Sequence, residues 1–94
     1  MKQEIFTVVS QSDVSYVPSQ KVEGGQLAKC VIRLKEFGGS RSGDEYLCTM
    51  LGNCAQCRFE VGEHVVASLR FSVHEVNGVC YQDILVNDII KINS

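Results

Sequence analysis

The chain of 94 residues has no tryptophan, one proline (Pro18) and two methionines. With no indole, any flat ligand must be met by four Phe and three Tyr side chains. A single proline excludes a polyproline spacer, which needs repeated rings to stay extended. Positive charge is also scarce: nine Lys and Arg stand against eleven Asp and Glu, a formal net charge of −2 at pH 7. That balance excludes binding to a polyanion through overall charge, although it leaves room for a local basic strip. Long apolar runs are missing too. No segment approaches the roughly 18–20 residues that cross a bilayer as a helix, so no membrane association is expected. The opening MKQEIFTVVSQSD has charges but not the apolar stretch of a secretion signal. Five cysteines are an odd and sparse set for a fold built on disulfides. A reduced, cytoplasmic protein is expected, with one domain spanning residues 1–94. A core of this size buries only about 60–65% of the surface that the unfolded chain exposes.

What the sequence does contain is alternation. Between Val61 and Ile92, the residues Val65, Ala67, Leu69, Phe71 and Val73 recur at every second position. His64, Ser68, Arg70, Ser72 and His74 lie between them, and Val66 is the one apolar exception. Period two marks a strand with one buried and one wetter face. Asn77-Gly78 then supplies two residues that tolerate positive φ, as a type I′ turn requires. The returning run of Tyr81, Ile84, Leu85, Val86, Ile89, Ile90 and Ile92 is interrupted at Asn87-Asp88, where a bulge is expected. This stretch reads as a long antiparallel hairpin whose apolar face needs other strands to cover it.

Three further strands are predicted. Glu4–Ser10 (EIFTVVS) is short and β-branched. Gln26–Glu36 alternates, with Ala28, Cys30, Ile32 and Leu34 on one face and Lys29, Val31, Arg33 and Lys35 on the other. Tyr46–Leu51 is the third. Gln11–Gly25 reads as a long surface loop and Phe37–Glu45 as a Gly/Ser-rich hairpin loop. Gly52–Glu60 has room for a turn or two of helix at most. An all-β chain with five strands and no amphipathic helix fits a partly closed Greek-key barrel, the OB-fold. The short bridge between strands three and four would cap it. An SH3-like barrel competes, but its strands are shorter and its final connection differs.

Several segments resemble the bacterial single-stranded DNA-binding protein family. Asp13–Pro18 (DVSYVP) is similar to that family's V-x-Y-x-P segment, and Leu27–Glu36 (LAKCVIRLKE) to the strand that follows. Glu45–Gly52 (EYLCTMLG) resembles its E-W-x-x-V-x-x-F-G strand, and Val61–Val65 (VGEHV) its K-G-x-x-V turn. Asn77–Ile84 (NGVCYQDI) resembles the N-G-x-x-Y-x-D-[VI] of a small bacterial OB family. The primosomal replication proteins, dimeric relatives of the same barrel, share the V-G…V-x-x-x-F…N-G layout. The resemblance implies an OB-fold that binds single-stranded DNA, or RNA, weakly and without strong sequence preference. It also implies a homodimer or higher homo-oligomer, with replication or mobile-element proteins as partners. The chain departs from the family in having Leu51 where the family has phenylalanine, and Glu45 or Tyr46 where it has tryptophan. A shift of one residue decides whether Tyr46 is a surface platform or a core residue.

OB-folds bind oligonucleotides across strands two and three and the adjoining loops. Lys29, Arg33 and Lys35 therefore lie where phosphates would pass. Lys21 and Arg41 extend the path through the flanking loops, Tyr16, Phe37 and Tyr46 are candidate stacking groups, and Leu51 lies beside them. The competing reading is a solvated strand face on a protein–protein module that binds no nucleic acid. The Asn77-Gly78 turn is short. The long arm with which many single-strand binders embrace their ligand is thus expected to be largely absent, leaving binding to strands two and three and the loops Gln11–Gly25 and Phe37–Asp44.

The remaining candidates point away from chemistry. Cys54-Ala-Gln-Cys57 lacks the second pair that structural zinc usually uses, and both thiols are expected as small fillers facing the barrel mouth. His64 and His74 are about 33 Å apart along an extended strand, too far to share a metal. Asp83 is expected to satisfy a backbone donor or a loop and not to work as a base. No nucleophile–base pair or phosphate-cradling glycine loop stands out, so neither an enzyme nor a cofactor is expected.

Overall fold

Alternation in the sequence becomes a division between inside and outside. The computed structural model describes residues 2–18, 24–38 and 43–92, with side chains from residue 4 onward. Its strands are β1 (Lys2–Gln11), β2 (Ser15–Pro18), β3 (Gln26–Glu36), β4 (Glu45–Leu51), β5 (His64–Val76) and β6 (Val79–Lys91). A single turn of helix, α1 (Asn53–Gln56), lies between β4 and β5.

Five of these strands close into the expected Greek-key barrel. β1 pairs antiparallel with both β3 and β5, β3 with β4, and β5 with β6. The last seam is parallel, between β4 and β6, at Thr49 and Leu85. β2 is an addition, because the segment Gln11–Gly25 is not wholly loop. Ser15, Tyr16, Val17 and Pro18 pair with Lys29, Ala28, Leu27 and Gln26, on the side of β3 that β1 occupies further along. Ser12 bridges the gap between the two: its backbone N–H donates to Val31 O, and its Oγ accepts from Val31 N–H. β2 is thus β1 resumed after a kink, and Val31, at the gap between them, keeps a partner for both its N–H and its C=O.

The core is what period two predicts for the barrel. Ala28, Cys30, Ile32 and Leu34 from β3 meet Cys48 and Met50 from β4, Phe6 and Val8 from β1, and Val65, Ala67 and Leu69 from β5. Each large apolar side chain removed from water here contributes about 1.5–3 kcal/mol. Ala55 of α1 is also fully buried, so the one helical turn plugs the barrel end, as expected for the bridge. The bridge is tied down by Gln11. Its Nε2 donates to Cys57 O and its Oε1 accepts from Phe59 N–H, at 2.8 and 2.9 Å.

The β5–β6 hairpin departs from expectation in one important way. Its turn is the predicted tight one, with φ of 52° at Asn77 and 80° at Gly78 between the paired Val76 and Val79. The predicted bulge is present as well: Ser68 pairs with Asp88 and Leu69 with Val86, leaving Asn87 as the extra residue. Burial, however, stops at Leu69. Residues 70–83 are exposed on both faces, including Phe71 and Val73 (68% exposed), which the alternation had placed in the core. The strands outrun the barrel, so the arm expected to be absent is built from paired strand instead of loop. A short turn limits the loop but not the reach of the strands below it.

This partition sets an expectation for stability. Ile32→Ala should cost about 2–5 kcal/mol by leaving a cavity in the barrel. Val73→Ala should change stability by no more than about 0.5 kcal/mol. Urea denaturation of both variants measures the difference.

Candidate nucleic-acid interface

Cross-strand partners share a sheet face, so the β3–β4 register determines what surrounds the basic residues. On the outer face, Lys29 lies opposite Leu51, Val31 opposite Thr49, Arg33 opposite Leu47, and Lys35 opposite Glu45. Lys29, Arg33 and Lys35 are all exposed, as the alternation predicts. They are not equivalent. Arg33 Nε forms an ion pair with Glu45 Oε1, and Lys35 has the same carboxylate as its cross-strand neighbour. One carboxylate between two cations halves the net charge of the strip at that end. Among the described residues, no carboxylate pairs with Lys29.

Lys29 stands at the edge of a cleft. The parallel seam sets Leu85 beside Thr49, and beyond it the arm rises as a second wall. Lys29, Thr49, Leu51, Ser72, Asp83, Ile84 and Leu85 line a space of about 270 Å³. Above it, register places Ser72 opposite Asp83 and His74 opposite Tyr81 on one face of the arm. His74 Nδ1 lies 3.0 Å from Asp83 Oδ2, and its ring stacks on Tyr81 at 5.6 Å between centroids. Tyr81 is half exposed. Asp83 is thus engaged by a histidine across the arm, not by the backbone donor expected for it. These arm residues were not among the expected site residues.

The other expected site residues are scattered. Leu51 lines the cleft. Tyr46 turns inward: it pairs with Leu34, meets Phe6 and Phe71 edge-on at 5.9 and 6.2 Å, and donates its hydroxyl to Glu36 Oε1. The register thus puts it, partly buried, on the core face and not on the outer face with Lys29. Tyr16 is exposed, but it pairs with Ala28 and so lies on the sheet face opposite Lys29. Phe37 follows the far end of β3 and rests on the His64 ring at 4.5 Å, remote from the cleft. Lys21 and Arg41 lie outside the described residues.

The cysteines occupy distinct environments. Cys54 packs partly against the core and Cys57 is exposed, so only one of the pair is the expected filler. The Cys57 thiol turns back to Asn53 O at 3.4 Å. Burial pushes the Cys48 thiol up to about 12; burial, and then proximity to Cys57, raises Cys54. Among the described residues, no three metal-ligating side chains gather. His64 lies 3.1 Å from Thr7 Oγ1, at the other end of β5 from His74. No helix among the described residues is long and apolar enough to cross a membrane.

No family model matches the chain, and no curated protein matches it in sequence. Among solved structures, the second OB-fold domain of replication protein A from Methanococcus maripaludis is similar, with a TM-score of 0.68 and 14% identity. The match covers 98% of this chain and 83% of that one. At that identity the likeness establishes the fold.

Thiol chemistry tests these placements. In the native protein an alkylating reagent should modify Cys57 and Cys80 rapidly, and Cys30 and Cys48 only after denaturation. Because the folded Cys48 holds its proton up to about 12 against 9.0 for an ordinary thiol, the unfolded state loses that proton first as pH rises. Stability should therefore fall across that window, and Cys48→Ala should flatten the fall measured by denaturation at a series of pH values.

Proposed function

We propose that this OB-fold protein binds single-stranded DNA weakly, without strong sequence preference, along the groove between the outer β3–β4 face and the β5–β6 arm. The observation that carries this reading is the cleft at the arm's root, where Lys29 stands beside an apolar wall of Leu51 and Leu85. A backbone phosphate needs the cation, and a base needs the apolar wall. The half-exposed Tyr81, higher on the arm, supplies a stacking surface of the kind single-strand binders use, worth roughly 1–3 kcal/mol per base. The role is one of binding, not catalysis. It belongs with replication or recombination in the cytoplasm, as the sequence resemblance and the replication protein A likeness both favour. A homodimer formed through an edge strand would cover exposed backbone and strengthen weak binding by avidity.

A specific surface supports a second reading, an OB module for protein contact. Ile5, Val66 and Ile90 form one row across β1, β5 and β6 on the barrel's outer face, and Ile5 and Ile90 are exposed. That row lies away from the groove, so the two readings can be separated.

Fluorescence anisotropy with a labelled dT oligomer separates them. Glu45 offsets one of the two charges of Arg33 and Lys35, which leaves about two phosphate contacts with Lys29 included and a salt slope near −1.4, at about 0.7 per contact. Lys29→Glu should abolish binding, and Tyr81→Ala should weaken it about tenfold, within the stacking range. Absence of binding at tens of micromolar protein in low salt would overturn the proposal in favour of the protein-contact reading.

A further inference from the structure

We infer that the cleft at the root of the arm seats one nucleobase and prefers a pyrimidine that presents an amino group, cytosine over thymine. This inference rests on the single-strand-binding reading above. The cleft, at about 270 Å³, falls below the 300–1,000 Å³ that accommodates a drug-sized ligand, and a single ring suits it. Leu51 and Leu85 offer apolar surface to the ring faces. Thr49 and Ser72 carry hydroxyls that donate or accept as required, so they discriminate little. Two lining groups have a fixed preference: Lys29 only donates and serves the backbone phosphate, whereas the ionised Asp83 carboxylate only accepts hydrogen bonds and is left to the base.

Cytosine presents its N4 amino group as a donor, whereas thymine has the O4 acceptor at the same place. A carboxylate therefore attracts the first and repels the second. The Asp83 carboxylate is held in place from the arm's other strand by His74, which engages Oδ2 at 3.0 Å and leaves further acceptor capacity on the group. Lys29, on the opposite wall, balances the charge that Asp83 would otherwise set against a passing phosphate. The discrimination is modest because Asp83 is half exposed. About fivefold is expected, the lower end of what a carboxylate–cytosine contact supplies. Such a preference at one position is compatible with binding that is otherwise indifferent to sequence.

The test compares dC and dT oligomers of equal length by anisotropy at pH 7.5 and low salt, with wild type and Asp83→Asn. The wild type should bind dC about fivefold more tightly. Asp83→Asn should bring the ratio close to one, mainly by tightening dT, because the amide can donate to O4. An oligomer of N4,N4-dimethylcytosine, which has lost both donors, should bind wild type no better than dT does. Equal wild-type affinities for dC and dT, or a dC preference that survives Asp83→Asn or dimethylation, would overturn this inference and leave single-strand binding intact. If neither oligomer binds, both readings fall.

Discussion

The barrel closes where Leu85 of β6 meets Thr49 of β4, and the shape of the arm and of the cleft at its root follows from that parallel seam. β6 must run antiparallel to β5 along its whole length and still reach β4 on its other side. It meets both demands through the bulge at Asn87, two residues from the seam. A bulge bends its strand and increases the local twist. Below it, Ile89 faces Ala67 and the core; above it, Val86 faces Leu69. The inward positions of β6 therefore change from odd to even numbers at Asn87. The face of every β6 side chain in the arm is set by that change.

The cleft results directly from it. With the extra residue in place, Leu85, Asp83 and Tyr81 fall on the face shared with Arg70, Ser72 and His74. In an unbroken alternation continuing from Ile89, Asp83 and Tyr81 would lie on the opposite face. The wall that the arm raises beside Lys29 and Leu51 thus depends on one extra residue in β6, Asn87. Charge adds a second constraint. Glu45 offsets Arg33 and lies beside Lys35, which moves the electrostatic centre of the β3–β4 face to Lys29, the end nearest the arm.

Much of this fold was legible in the sequence, for identifiable reasons. The inward residues of β3 alternate without error from Ala28 to Leu34, Asn77-Gly78 encodes its turn directly, and Asn87-Asp88 marks the bulge. Three features were not legible. β2 was hidden because four residues, cut off from β1 by Ser12–Val14, carry too short a pattern to rise above loop composition. Burial beyond Leu69 was overstated because alternation reports a face but not whether anything covers it: Phe71 and Val73 continue the pattern after the barrel has ended. The arm side of the cleft was missed for a related reason. The bulge was expected, but its effect on the parity of Tyr81 and Asp83 appears only when the register with β5 is known. Of the expected site residues, Lys29 and Leu51 reach the cleft. Tyr16 and Tyr46 do not, because their registers put them on the opposite sheet face, and Phe37 does not, because it lies past the far end of β3.

The central claim is that the groove between the β3–β4 face and the arm, and not the Ile5–Val66–Ile90 face, is where the molecule meets its ligand. Amide chemical-shift mapping with a short single-stranded oligonucleotide tests this residue by residue. The claim requires progressive shifts at Lys29, Thr49, Leu51, Ser72, Asp83 and Leu85, with Ile5, Val66 and Ile90 unmoved. Shifts centred on Ile5, Val66 and Ile90, or none anywhere at saturating oligonucleotide, would contradict it.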